Sequence, residues 1–590
     1  MFGNVRSRLV TDRRCIILAT LFIHRFILDK FRFPAKMAHA QFQAIVALVL
    51  LSTVYCIKPS VRTTSGRVQG NRVQGFHRLM NVYLGIPYAE PPVGELRFRR
   101  PEPVRPWNGT LSANRFSKPC YHEHYSNNKE TESKNISENC LFLNIWVPYM
   151  RNSERLATLV WLPDNGRRSD VNSEIFDGNY LAAENDVIVV SVNYRVGALG
   201  FLYSGNESSP GNMGLLDQAM AIKWLYNNIE HFGGDKHRLT LFGDGLGATS
   251  VSLHLLSPVS RTYFSNAAMQ KGGLGGTTSF IPNSKALKYT ELLASKVGCT
   301  NEDLEETMKC LNSVEIKTIL ENQDGIYINE SRVFAGPTVD EYFLTKSPKE
   351  LLDDGLVKNA NIIAGVNSVE NHLSDEEASS SAIRNFVPVH SEFGLDAIRH
   401  EYRLSLLPSR RPTMRELFDD IGGDFNVKCP TLDLAKEYTR IFNETNSIFV
   451  YSYNNPIRYS KHYEENYIGD EVDMVFGIPF LFPSNYTDSQ RSLSNSIMQF
   501  WTNFAKMGNP NGLRRHKQKV AWPPYKLHEQ KHIILTEGVT FGIGSGLGLG
   551  KCSFWKKLYP KLNAIHDTLC SGASTALVAT WILVVIGQLV

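Results

Sequence analysis

Between residues 60 and 560 the chain has no low-complexity run and no internal repeat. That excludes collagen-like and solenoid architectures, which show themselves as fixed periods. Past its N-terminus the chain also lacks a charge excess. Residues 1–56 hold eight of the 63 Lys and Arg and two of the 58 Asp and Glu, which leaves 55 basic against 56 acidic residues elsewhere. The formal +5 therefore belongs to the N-terminus, and the body has no basic field for holding nucleic acid. What remains is ordinary: 43% hydrophobic and 21% charged residues, enough apolar material for a large core.

The ends read as processing signals. An apolar stretch from Ala44 to Val54 follows Met37 and ends in Val54-Tyr55-Cys56. A short apolar core with small residues behind it is the pattern of a signal peptide, here 37–56, with 1–36 as an extension of unassigned status. The alternative is a signal anchor built on Cys15 to Leu28, which His24 and Arg25 interrupt. At the other end, Ala576 to Val590 is fifteen uncharged residues, shorter than the roughly 20 that a membrane span needs. Small residues precede it within the linker 564–574, so Ser571 and Gly572 are candidate GPI-attachment sites ahead of the tail 575–590. A short membrane anchor is the alternative. Six sequons, at Asn108, Asn135, Asn206, Asn329, Asn443 and Asn485, agree with a secreted glycoprotein on the outer face of the plasma membrane. Nine cysteines less Cys15 and Cys56 leave seven. An odd number in a secreted chain suggests three internal disulfides and one thiol for another chain, and spacing does not set the pairing.

Short β-branched runs bounded by turns occur at Thr158–Leu162, Asp186–Tyr194, Arg238–Phe242 and Ala360–Val366, with a helical pattern over Asn212–Glu230. Buried strands alternating with helices predict an α/β layered fold with a mostly parallel sheet. Gly542–Gly550 and Ser374–Ser381 are expected as surface loops, and 57–563 as a single domain.

Several segments carry a resemblance. They include Tyr83-Leu84-Gly85-Ile86-Pro87-Tyr88-Ala89 with Leu96-Arg97-Phe98, and Ser137-Glu138-Asn139-Cys140-Leu141-Phe142-Leu143-Asn144. Asn193-Tyr194-Arg195-Val196-Gly197, Gly214-Leu215-Leu216-Asp217-Gln218, Phe232-Gly233-Gly234-Asp235 and Val475-Phe476-Gly477-Ile478-Pro479 follow. Over about residues 60–563 the chain resembles the type-B carboxylesterase and cholinesterase family, which implies the α/β-hydrolase fold. The end, Cys552-Ser553-Phe554-Trp555 with Pro560-Lys561-Leu562, resembles the cholinesterase branch, including its GPI-anchored acetylcholinesterase members. The resemblance implies disulfides Cys120–Cys140, Cys299–Cys310 and Cys429–Cys552. It also makes Cys570 a candidate intersubunit cysteine for a disulfide-linked homodimer. No cofactor and no metal is expected.

The chemistry that this family performs needs a serine on a tight strand–turn–helix elbow, G-x-S-x-G. Here the elbow reads Gly243-Asp244-Gly245-Leu246-Gly247, and Gly245 has no side chain to acylate. The histidine that shuttles the proton falls by resemblance at Ile468, which cannot titrate; His462 is the nearest histidine. The acid falls at Glu370, in Gly365-Val366-Asn367-Ser368-Val369-Glu370. The oxyanion positions are Asp164, Asn165, Gly166 and Leu246. Two of the three loop glycines are replaced, and Asp164 adds a negative charge where the reaction develops one. Losing one oxyanion donor typically costs about 3–4 kcal/mol. The loop Cys120–Cys140 contains no Trp, so the aromatic contact that cholinesterases offer a quaternary ammonium is missing. Together these losses predict a non-catalytic, cell-surface cholinesterase-like glycoprotein that binds an extracellular protein, similar to neuroligins, neurotactin, gliotactin and glutactin. A carrier of small hydrophobic molecules and an ester hydrolase with non-standard residues are the alternatives.

Overall fold

A computed structural model describes residues 58–121, 136–149, 154–164, 177–276, 279–328, 331–333, 335–367, 387, 392–404, 420–442, 447–455, 458–459, 467–468, 471–512, 520–538, 541–562 and 564. Its centre is an eleven-stranded sheet. In chain order the strands are β1 (Asn71–Gln74), β2 (Leu79–Pro87), β3 (Phe142–Pro148), β4 (Leu156–Leu162), β5 (Ile188–Val192) and β6 (Gly234–Asp244). Then come β7 (Asn266–Gln270), β8 (Asn361–Asn367), β9 (Ile448–Tyr453), β10 (Lys531–Leu535) and β11 (Gly542–Ser545). Across the sheet the order is β11-β10-β9-β8-β7-β6-β4-β5-β3-β2-β1. The run from β5 through β10 is parallel, and antiparallel strands close both ends. Chain and family motifs thus agree on an α/β-hydrolase sheet.

The central strands are buried over their whole length because helices cover both faces. In β4 every residue of LATLVWL is buried, and in β5 every residue of IVVSV. Successive side chains point to opposite faces, so Val160 and Leu162 join one core with Ile188, Val190 and Leu241. Leu159 and Trp161 join the other with Val189, Phe242 and Tyr451. The first core is covered by α2 (Met213–Asn228) and α3 (Leu246–Leu256) and by α4 (Cys429–Phe442). The second is covered by α1 (Asn179–Asn185), α5 (Glu471–Phe476) and α6 (Asp488–Met507). Helix α6 begins at a capping box formed by Thr487 and Gln490, a pairing that satisfies free amides at a helix start.

Motif residues meet as ion pairs. Arg195 is bidentate to Asp217 at 2.8 and 2.7 Å, both nearly inaccessible, and donates to the carbonyls of Arg97 and Arg99. Arg97 in turn is bidentate to Glu138. The LRF, SEN, NYR and LLDQ segments are therefore one charge network that knits the N-terminal strands to α2. Asp217's carboxyl is pushed up by burial and held down by Arg195.

Disulfides join Cys120 to Cys140, Cys299 to Cys310 and Cys429 to Cys552, the pairings that the resemblance implies. Asn108, Asn206 and Asn485 are exposed; Asn135, Asn329 and Asn443 lie outside the described residues, as do Cys570, Ser571 and Gly572. No helix among the described residues is long and apolar enough to cross a membrane. One expectation is corrected. Gly542–Gly550 is not a loop: Gly542–Ser545 forms β11, with Ile543 opposite Ile533, and a helix begins at Leu549. Pairing with β10 supplies the order that this glycine-rich stretch does not encode locally. Ser374–Ser381 lies outside the described residues.

Candidate functional site

Strand β6 runs to Asp244 and helix α3 starts at Leu246, so Gly245 alone makes the turn. Its φ is +54° and ψ −117°, a conformation that costs a residue with a Cβ and is native to the elbows of this fold. The Gly245 N–H donates to the Gln270 carbonyl at 2.9 Å, and its carbonyl accepts from Thr249 at 3.0 Å. Close approach requires the flanking glycines. A Cβ on Gly243 would lie 2.5 Å from the Gly247 backbone, and one on Gly247 would lie 1.9 Å from the Leu162 carbonyl. The elbow is thus geometrically intact, with its end glycines retained for packing.

Its centre is filled by a neighbour. A Cβ on Gly245 would come 2.4 Å from Oδ2 of Asp164 and 2.9 Å from its Cγ. Asp164 follows β4 through Pro163, whose carbonyl accepts from the buried Tyr194 hydroxyl. The Asp164 carboxylate therefore occupies the space from which a nucleophilic side chain would extend, which its place among the oxyanion positions does not by itself reveal. Asn165 and Gly166 lie outside the described residues. Leu246 is described and 40% exposed at the start of α3.

A second charge pair flanks the turn. Lys271 Nζ sits 3.0 Å from Asp244 Oδ1, with both side chains at least 86% shielded from solvent. Lys271 has a φ of +54° and donates its amide to the Gly365 carbonyl, so it binds the ends of β6, β7 and β8 together. Nothing in the sequence marks it, because a lone lysine after a strand has no signature.

Ile468 lies in a two-residue strand, Tyr467–Ile468, antiparallel to Arg458–Tyr459 and opposite Arg458. Three residues on, Glu471 opens α5 and is buried, accepting from the Tyr451 hydroxyl at 2.9 Å and from the Gln270 amide at 3.3 Å. Gln270 thus links α5 to the elbow, its side chain toward Glu471 and its carbonyl toward Gly245. Glu370 and His462 lie outside the described residues.

The elbow helix contains a serine and a histidine of its own. Ser250 donates to the Leu246 carbonyl at 3.0 Å and accepts from the Gln218 amide at 3.2 Å. His254 Nε2 lies 2.9 Å from Gln218 Oε1, and Nδ1 lies 2.7 Å from the Ser260 hydroxyl. With Gln218 accepting, Nε2 carries the proton and Nδ1 accepts from Ser260. His254 is fully buried against the edge of Phe343, and burial pushes its pKa down to about 3. This chain of neutral groups binds α2 to α3 and offers a substrate no access.

Comparison with known proteins agrees with this architecture. The model of the carboxylesterase family matches residues 57–555. The chain is 35% identical to a cholinesterase of Mus musculus over 534 residues, covering 85% of this chain and 87% of that protein. Sheet order, elbow, disulfides and sequence similarity lead to one assignment: the chain belongs to the carboxylesterase family, type B, and is cholinesterase-like.

Proposed function

We propose that this protein is a non-catalytic, cholinesterase-like glycoprotein of the cell surface that acts by binding an extracellular protein. The observation that carries the reading is the elbow itself. Gly245 offers no nucleophile, and the Asp164 carboxylate stands within 2.4 Å of where one would begin. A carboxylate there also opposes the negative charge of a tetrahedral intermediate, which an esterase must stabilise. The base position is Ile468, and the only histidine–serine chain described on the elbow helix is sealed in the core. The cholinesterase of Mus musculus is named for an activity; at the positions the resemblance assigns, the nucleophile and the base are replaced here by Gly245 and Ile468, while the acid position keeps Glu370. The partner-binding role extends from the similarity to neuroligins and the related adhesion proteins, and the anchor from the apolar tail after Ser571 and Gly572.

Two arms of one experiment test this. The purified full chain is exposed to a fluorophosphonate probe and to short-chain aryl esters beside an active esterase; no labelling and no turnover above buffer are expected. Cells displaying the chain are mixed with cells of the same tissue origin before and after phosphatidylinositol-specific phospholipase C. Adhesion that disappears as the chain is released supports both role and anchor. Stoichiometric labelling or ester turnover would overturn the non-catalytic reading, and adhesion indifferent to the chain would overturn the binding role.

A further inference from the structure

Three Asn-Gly pairs occur in the chain, at Asn108–Gly109, Asn165–Gly166 and Asn511–Gly512. The second lies outside the described residues. An asparagine followed by glycine carries its own reagents. The glycine nitrogen is a nucleophile with no Cβ to shield it, and the side-chain amide carbon is an electrophile one five-membered ring away. The fold treats the two described pairs differently.

Asn511 is clamped. Its Nδ2 donates to the Trp522 carbonyl at 2.9 Å and to Asn509 Oδ1 at 3.1 Å, and its Oδ1 accepts from the Trp522 N–H at 2.8 Å. Trp522 is buried, with its indole N–H donating to the Val450 carbonyl of β9. The Asn511 amide therefore cannot turn onto Gly512 without breaking bonds that hold a core tryptophan.

Asn108 is the reverse case. Trp107, just before it, donates its amide to the Ser65 carbonyl at 2.8 Å and its indole N–H to the Arg67 carbonyl at 3.0 Å. A short strand, Thr110–Ser112, follows and pairs in parallel with Arg67–Gln69. Between these two anchors Asn108 and Gly109 are exposed. Gly109 has a φ of +81°, and nothing lies within 4 Å of where its Cβ would be. Neither the Asn108 side chain nor the Gly109 N–H has a hydrogen-bond partner among the described residues. The amide can turn onto the Gly109 nitrogen with no native contact to lose.

We propose that Asn108–Gly109 is a site of spontaneous deamidation, and that this modification competes with glycosylation for the same side-chain nitrogen. The Gly109 nitrogen gives up its proton and attacks Asn108 Cγ. The bond from Cγ to Nδ2 breaks, and ammonia leaves with that proton. Water then opens the cyclic imide at either carbonyl, yielding aspartate or isoaspartate. The net change is one water in and one ammonia out, with no oxidant or reductant. Either product destroys the sequon that Asn108 heads with Thr110. A sugar on Nδ2 in turn replaces the ammonia leaving group by a bulky glycosylamine and blocks the ring closure.

The test uses the purified full chain carrying Thr110→Ala, an exposed change that removes the sequon and keeps the Asn-Gly pair. It is held at neutral pH and body temperature, and its peptides are read by mass spectrometry with electron-transfer fragmentation, which separates isoaspartate from aspartate. Deamidation at Asn108 should run about tenfold or more faster than at Asn511, which reacts only from locally opened states. In urea the two rates should converge. The product at Asn108 should include isoaspartate, because direct hydrolysis of the side-chain amide gives aspartate alone. In the wild-type chain the glycosylated fraction at Asn108 should hold constant while the unglycosylated amide is lost. Equal rates at the two sites in the folded chain, an Asn108 that stays intact, or aspartate without isoaspartate would overturn the proposal. Loss of the glycosylated form as fast as the bare amide would overturn the competition.

Discussion

A side chain at position 245 meets two obstacles. The backbone there has a φ of +54°, and the carboxylate of Asp164 fills the space beside it. The backbone strain is one that hydrolases of this fold tolerate because the nucleophile needs it. The carboxylate stands where the resemblance places a glycine of the oxyanion loop. Gly245→Ser should therefore destabilise the fold by about 1–3 kcal/mol, from strain and overpacking. Pairing it with Asp164→Ala should relieve much of that, so a double-mutant cycle on urea midpoints gives a favourable coupling. Additive effects would mean that the serine is accommodated by some other movement. The double variant should still fail to take a fluorophosphonate, because no base stands at Ile468.

The elements around the elbow are held by buried polar groups that a sequence displays without explaining. His254 is one of them. Its pKa is near 6.5 when unfolded and is pushed down to about 3 by burial among Gln218, Ser260 and Phe343. Above pH 6.5 the residue is neutral in both states and imposes no cost. As pH falls from about 6.5 toward about 3, the unfolded chain takes up a proton that the fold refuses, so stability drops by up to about 1.4 kcal/mol per pH unit. His254→Gln should flatten that acid limb, measured as unfolding free energy between pH 7 and 4, and an unchanged slope would mean that the ring titrates in place. The strands were legible for a related reason. Continuous apolar β-branched runs such as Leu156–Leu162 and Ile188–Val192 have one cheap solution, burial inside a parallel sheet. Strand β11 was not legible, since GIGS carries no alternation and takes its order from Ile533 across the ladder. At the site, the resemblance assigned Gly245 and Ile468 to the positions of the nucleophile and the base. It could not reveal that Asp164 fills the vacancy or that Lys271 pairs with Asp244, because both are contacts between distant strand ends. The family motifs identify a fold more than a chemistry for the same reason: Arg97, Glu138, Arg195 and Asp217 are spent on one another.

Across the whole molecule the three disulfides differ most in the length of chain they enclose. Cys299–Cys310 spans 11 residues, whereas Cys429–Cys552 spans 123, a segment that holds β9, α5, α6, β10 and β11. In the native state the helix that begins at Leu549 is also docked by contacts other than the second bond. Trp555 donates to the Tyr402 hydroxyl at 2.7 Å, Tyr402 donates to Asp424 at 3.0 Å, and Lys551 pairs with Glu401. The bond's contribution should therefore fall on the unfolded ensemble, where closing a longer loop removes more entropy. By the loop model, replacing both cysteines of the 123-residue bridge with alanine should cost about 5 kcal/mol. The same change at the 11-residue bridge should cost about 3 kcal/mol. Urea unfolding followed by the part of the tryptophan emission that Trp555→Phe removes separates the alternatives, since the chain has eight tryptophans. Retained native emission with a lowered midpoint, larger for the long loop, fits an unfolded-state effect. Native emission already lost without denaturant, or the reverse ranking, would show instead that the Cys429–Cys552 bond holds the C-terminal helix against the sheet.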